Sequence, residues 1–168
     1  MNPQTLEQAV AAHPFLIGIS EHHIRLLVDS AMKTTFEAGK VIFAEGETAN
    51  RFYLIETGRI VLESRSDQND AVTIEVIGAG DLLGWSWLFP PYVWHFSARA
   101  VEPTNAIFFY GTVLREYCDA DPSLGFELFK RMGEVMIKRL QSARSRLVQA
   151  NVGFSPVGGE HQITGGDA

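Results

Sequence analysis

Cysteine is almost missing: Cys118 stands alone in a chain of 168 residues, which excludes an internal disulfide and any cysteine-cluster metal site. It reads as a buried structural thiol rather than a reactive one. Long apolar runs are absent too, since none approaches the roughly 20 residues that a membrane-crossing helix needs. The opening "MNPQTLEQAVAAHPF" lacks the basic-then-apolar order of a secretory leader, so a cytoplasmic protein with no membrane partner is expected. Positive charge is scarce, with 14 Lys/Arg against 20 Asp/Glu and a net charge of −6. That balance excludes the overall basic footprint of a nucleic-acid binder. Gly-x-Ser-x-Gly, P-loop and dinucleotide fingerprints are likewise missing, and the chain is expected not to be an enzyme.

What is present is globular. Hydrophobic residues make up 46% and charged residues 20%, close to average soluble composition, and the length suits one domain with a core of its own. Residues 5–33 read as two short helices broken at "HPFLIGIS", where Pro14 and Gly18 interrupt the pattern. Ser20 is placed as the N-cap of the second, whose Ile24, Leu27, Val28 and Met32 recur at helical spacing. From Thr34 to Tyr110 the texture changes to short runs of Val, Ile, Phe and Tyr punctuated by glycine, the pattern of a sandwich, jelly roll or small barrel. In "AVTIEVIG", Val72, Ile74 and Val76 alternate with Thr73 and Glu75, as in a strand with one buried face.

After Tyr110 the helical period returns. A short helix is expected over "TVLREYCD", and Asp121 with Pro122 supplies the N-cap and first-turn proline of a long one running to Ala150. Along it Gly125, Phe129, Met132, Met136, Leu140, Ala143 and Leu147 form a near-heptad apolar stripe. At about 1.5 Å per residue such a helix outreaches a β domain. Part of the stripe is therefore expected to meet a second chain, making Phe129, Met132, Met136, Leu140, Ala143 and Leu147 a candidate homodimer interface. Residues 122–150 also hold 6 Lys/Arg against 2 Asp/Glu, whereas residues 1–121 hold 8 against 16. The late basic segment reads as the solvated face of the helix. Residues 153–168 are glycine-rich and aperiodic, the signature of a disordered tail.

The segment "FEAGKVIFAEGETANRFYLIETGRIVL" followed by "IGAGDLLG" places Phe36, Gly39, Ile42, Gly46, Glu47, Tyr53, Ile55, Gly58, Gly80, Asp81 and Gly84 at the spacing of a known family. With helices before it and a short then a long helix after it, the chain resembles the cyclic nucleotide-binding domain of the catabolite activator superfamily. The resemblance covers roughly residues 14–150. It implies an α+β fold with a double-stranded β-helix, or jelly-roll, β-roll (about 34–110), short N-terminal helices and a dimerising C-terminal helix (about 122–150), all within one domain of residues 1–152. It also implies a regulatory role. Transcription factors of this family carry a helix-turn-helix after the long helix, and the residues after Ala150 are too few for one, so direct DNA binding is not expected.

In that family the residues after the equivalent of Gly84 form the phosphate-binding cassette. A glutamate takes the ribose 2′-hydroxyl, and an arginine about eleven residues on, followed by Ser or Thr and Ala, pairs the cyclic phosphate. Here the glutamate position is Trp85, and the arginine position falls among Trp94, His95 and Phe96. Ser97 and Ala98 keep part of the ending, and Arg99 would reach inward only after a one-residue register slip. Each charge-assisted hydrogen bond contributes roughly 1.5–3 kcal/mol, so losing both anchors turns a micromolar binder into a millimolar one. Tight binding of cAMP or cGMP is therefore not expected, and the small-molecule ligand, if one exists, is unassigned.

Six aromatics stand where the anchors should be: Trp85, Trp87, Phe89, Tyr92, Trp94 and Phe96. Three readings are open. Gly84, Trp85, Ser86, Trp87, His95, Phe96, Ser97, Ala98 and Arg99 line a rebuilt pocket for a flat ligand; or the aromatics collapse and fill the old cavity; or they form an exposed patch for a partner. Under the first, the module signals to a separate effector protein through the helix pair. No metal cofactor is expected. His22 and His23 are adjacent on a helix and so should not share a face. With His13 and His161 they match no zinc or iron spacing, and there is no His-x-His with a following Glu to suggest a cupin-type oxygenase.

Overall fold

The computed structural model describes residues 4–152; the expected disordered tail, residues 153–168, lies outside the described residues. Two short helices open the chain, α1 (Leu6–Ala12) and α2 (Glu21–Asp29). Thr5 and Gln8 close a reciprocal capping box on the first. Ser20 caps the second by accepting from the His23 N–H, as its position in the sequence implies.

The helical reading to residue 33 is too long. The Ser30 N–H bonds back to the Leu27 and Val28 carbonyls, which ends α2, and Met32 and Lys33 already belong to β1 (Ala31–Phe36). The β-branched pair Thr34 and Thr35 favours an extended strand, and the pairing of β1 with β8 (Thr104–Tyr110) supplies the backbone partners.

The other strands are β2 (Val41–Phe43), β3 (Arg51–Thr57), β4 (Arg59–Arg65), β5 (Ala71–Gly78), β6 (Leu82–Leu83) and β7 (Ser97–Ala100). They form two antiparallel four-stranded sheets, ordered β1-β8-β3-β6 and β2-β7-β4-β5. A 3-10 turn over Ser86–Leu88 follows β6, and α3 (Gly111–Ala120) and α4 (Pro122–Val152) complete the order. This is the expected β-roll with its flanking helices.

Between the sheets lies one core, built from Phe43, Tyr53, Ile55, Ile60, Leu62, Ile77, Leu83, Trp94 and Phe108, with small Ala49, Ala98 and Ala106 filling the gaps. The period-two alternation of strands sends neighbouring residues to the opposite face. There Phe52 stacks on Phe109, ring centroids 4.6 Å apart, and on Trp87 at 5.6 Å, with Phe15 edge-on at 6.2 Å. The roll thus has an aromatic interior and a second aromatic layer outside one sheet.

Strand β5 overturns an expectation. Val72, Ile74 and Val76 are 51%, 40% and 53% exposed, and Ile77 is the residue buried at 3%. Register decides this at the end of the strand: Ile77 pairs with the buried Ile60 and Val76 with Val61, so Val76 faces out, and a register irregularity opposite Leu62 and Glu63 breaks the alternation before Val72. As the edge strand of its sheet, β5 has only one strand neighbour beside it.

The chain divides into two compact units, the first from Met1 to Met132 and the second from Gly133 onward. The first holds the roll, α1 to α3 and the opening turns of α4, where Leu124, Leu128 and Met132 are buried. Met132 is thereby removed from the expected dimer face, since it is only 1% exposed within the chain itself. In the second unit the helix leaves Ile137, Leu140, Leu147 and Val148 exposed, and Met136 and Ala143 half-buried.

Candidate functional site

Gly84 closes β6 with φ of +89°, a left-handed conformation that favours glycine. A Cβ on it would stand 2.6 Å from the indole of Trp94. The residue is therefore required twice, by backbone conformation and by the side chain pressed against it. Trp85, in the ribose-glutamate position, is half-buried and occupies the N-cap of the 3-10 turn. The turn is three residues long, so the backbone dipole available to an anion is small.

Trp94 is the centre of the segment. It is 3% exposed and stacks on Phe43 with centroids 3.8 Å apart and planes 9° from parallel. Its backbone is clamped to the β2–β3 connection: the Trp94 N–H donates to the Glu47 carbonyl at 2.9 Å, and the Gly46 N–H donates to the Trp94 carbonyl at 2.8 Å. Phe96, half-buried, leans on the same Phe43 ring at 5.9 Å. The roll interior is thus lined here by an indole locked on both its ring face and its backbone.

The remaining expected site residues scatter. Trp87 is fully buried, but against Phe52 in the outer aromatic layer, so it cannot line the roll interior. Its carbonyl accepts from the Arg115 guanidinium, while its indole N–H is buried without a partner. Ser86 is buried beside it in the same turn. His95 is exposed and points away from the core. Ser97 uses its hydroxyl to accept the Glu45 N–H at 3.0 Å, and Ala98 is core. Arg99 pairs with Glu63 on the neighbouring strand. Because Ala98 and Ala100 are buried on either side of it, Arg99 lies on the outward phase and the register slip does not occur. Of the expected set, Gly84, Phe96 and Ala98 share the interior with Trp94, and Trp87, His95, Ser97 and Arg99 do not.

Sequence reasoning did not place Phe43, Arg51 or Tyr53 in the site. Arg51 lies over the Phe108 ring, 4.6 Å from its centroid, and 5.5 Å from that of Tyr110. Tyr53 is buried; desolvation pushes its hydroxyl pKa up, partly offset by the charge and hydrogen bond of Arg51. The signal was available: Arg51, Tyr53 and Ile55 alternate along β3 in phase with the interior.

A second cluster forms where the sequence pointed to none. Asp121, at the start of α4, accepts the backbone N–H groups of Ser123 and Leu124 on Oδ1, at 3.1 and 3.3 Å. Its Oδ2 meets His23 Nε2 at 3.1 Å and His22 Nε2 at 3.5 Å. Desolvation works against the charged form of Asp121, but the hydrogen bonds from Leu124, Ser123 and His23 outweigh it and lower the pKa. Adjacent helical residues point about 100° apart, yet both imidazoles lean to one point, their centroids 5.4 Å apart. The expectation that His22 and His23 do not share a face is corrected, since both ring nitrogens lie within 3.5 Å of Asp121 Oδ2.

A family model described as the cyclic nucleotide-binding domain matches residues 33–121, more than half of the chain. The chain belongs to the cyclic nucleotide-binding domain family. A curated relative, the CRP-like cAMP-activated global transcriptional regulator of Mycobacterium tuberculosis, is 23% identical over 154 residues, covering 92% of this chain and 66% of the relative. The chain thus spans just under two thirds of that regulator's length. Among solved structures, a Geobacter metallireducens GS-15 protein named for cyclic nucleotide binding aligns with a TM-score of 0.72 and 25% identity, over 80% of this chain and 97% of that one. A cyclic nucleotide-binding domain from Methylobacillus flagellatus KT aligns with a TM-score of 0.76 and 18% identity, over 90% and 86%. Among the described residues no helix is long and apolar enough to cross a membrane.

Proposed function

We propose that this cyclic nucleotide-binding domain is a non-catalytic regulatory module whose cassette has been converted from a nucleotide site into core, and which passes its signal by protein contact. The observation that carries this reading is Trp94, seated in the interior against Phe43 and Gly84 on the stretch where the family keeps its phosphate arginine. A nucleotide entering there would have to expel the indole. Exposing an aromatic side chain of roughly 200 Å² at about 25 cal/mol per Å² costs about 5 kcal/mol, or three to four decades in Kd. The missing ribose and phosphate anchors add to that cost rather than offset it.

The signal surface on this reading is α4. Phe126, Phe129, Ile137, Leu140, Leu147 and Val148 are each more than half exposed, an apolar series that a second copy of the chain would cover. The cassette reaches this helix through Phe89, whose ring meets Phe129 edge-on at 6.0 Å. What speaks against the rebuilt-pocket reading is that two of the three tryptophans in the segment, Trp87 and Trp94, are buried. A separate effector protein reading the dimer completes the proposal.

A thermal melt tests it. Millimolar cAMP or cGMP is expected to leave the melting temperature unchanged, because a ligand that does not bind the folded state cannot stabilise it. A concentration-dependent rise with either nucleotide would overturn the reading.

A further inference from the structure

We infer that His22, His23 and Asp121 form a binding site for a divalent transition ion of the zinc type, which fastens α2 to the start of α4. The three donor atoms, one per residue, lie within 4.8 Å of one another. Tetrahedral zinc with bonds of about 2.0–2.1 Å to imidazole and carboxylate places its ligand atoms about 3.3–3.4 Å apart. The two distances to Asp121 Oδ2, 3.1 and 3.5 Å, bracket that edge length. The third edge, between the two imidazoles, lies within 4.8 Å and closes to the zinc value by rotation of the exposed His22 ring.

Each ligand is positioned by a different feature of the chain. Asp121 is held by its other oxygen, which accepts the Ser123 and Leu124 N–H groups, so Oδ2 is presented as a single fixed donor, as outer hydrogen bonds orient ligands in metal sites. His23 is nearly buried, its side chain 11% exposed, and the Ser123 hydroxyl, now 3.2 Å from the same Nε2, would give way to the ion at that nitrogen. His22 is 72% exposed and closes the site from solvent, which gives the ion its entry path. Two imidazoles and one carboxylate suit zinc, cobalt or nickel better than calcium or magnesium, which prefer all-oxygen sets. The acidic balance of residues 1–121, 16 Asp/Glu against 8 Lys/Arg, favours a cation over an anion there.

The consequence is mechanical. Asp121 is the residue at which α3 ends and α4 begins, so an ion bridging it to α2 restrains the root of the helix proposed above as the signal surface. The metal site does not depend on that proposal: its test reads zinc, not nucleotide or oligomeric state.

The experiment uses the full-length, tag-free chain, titrated with Zn2+ by calorimetry and examined by native mass spectrometry. One ion per chain is expected, with a higher melting temperature that a chelator reverses. His22→Ala is the decisive variant because the side chain is 72% exposed, so its loss is expected to leave the fold intact. It is expected to weaken Zn2+ at least about tenfold, the smallest loss seen when metal-site partners are removed, and to abolish the thermal shift. Co2+ is expected to give the visible absorption of a tetrahedral site in the wild type and not in His23→Ala, whereas His161→Ala keeps it. No saturable Zn2+ uptake by the wild type, or undiminished uptake by folded His22→Ala, would overturn the site.

Discussion

The indole of Trp94 lies face to face with the ring of Phe43, 3.8 Å between centroids and 9° from parallel, and the backbone of Gly84 passes close enough beneath it that no Cβ could be accommodated. Three residues from three separate stretches thus share one packing solution. Replacing Trp94 by Ala is expected to cost about 3–5 kcal/mol, the range for a large aromatic lost from a core, and added indole is expected to recover part of it by refilling the void. Gly84→Ala is expected to cost about 1–3 kcal/mol from its left-handed backbone, plus the clash with Trp94. The clash portion should vanish in the double variant, so the two effects are expected to be non-additive in chemical denaturation. Full additivity would separate Gly84 from Trp94.

Acid sensitivity is expected from His13, which is 5% exposed. The Phe15 N–H donates to its Nδ1 at 3.2 Å, so the ring proton sits on Nε2 and donates to the Ile55 carbonyl at 3.0 Å. Burial pushes the His13 pKa down from 6.5, against smaller upward effects of the Ile55 bond and of Glu56 and Asp81. Protonation would also strand the Phe15 N–H. The unfolded chain therefore takes up the proton first, and stability present above pH 6.5 is lost as pH falls below it toward the folded pKa. Urea midpoints measured from pH 7.5 to 5 are expected to fall, with a flatter profile in His13→Gln.

Cys118 is half-buried, less enclosed than the buried structural thiol the sequence suggests. Burial, with Asp119 and Asp121 adding to it, pushes its pKa up to about 11. The thiolate is the reacting species, so alkylation by iodoacetamide at neutral pH is expected to be slow and to rise through the alkaline range. Rapid labelling at pH 7 would contradict the placement.

The exposed apolar series on α4 predicts self-association. Ile137 and Leu140 are 57% and 70% exposed, so replacing both by Asp should cost the monomer little. Light scattering is expected to give twice the chain mass for the wild type and the single-chain mass for the double variant. An unchanged mass would reject this face as the interface.

Much of the fold could be read from the sequence because its signals are local. Ser20 and Asp121 name helix starts, the glycines at 46, 58, 80 and 84 mark turns with positive φ, and the aromatic and β-branched runs mark the strands. What could not be read was phase. The alternation in β5 is genuine, but Val76 faces outward because Ile77 pairs with Ile60, and a register irregularity interrupts the pairing before Val72; no local pattern encodes a partner strand. The cassette failed for the same reason. Trp87 and Trp94 look alike in sequence, yet one packs outside the sheet against Phe52 and the other inside against Phe43. The His22–His23–Asp121 cluster joins residues 98 apart, a proximity that spacing rules cannot detect.

The central claim is that Trp94 occupies the space a nucleotide would need, and isothermal calorimetry tests it most directly. Titration of the wild-type chain with cAMP, and separately with cGMP, is expected to give no saturable heat below millimolar concentration. A one-site isotherm with micromolar Kd for either nucleotide would contradict it.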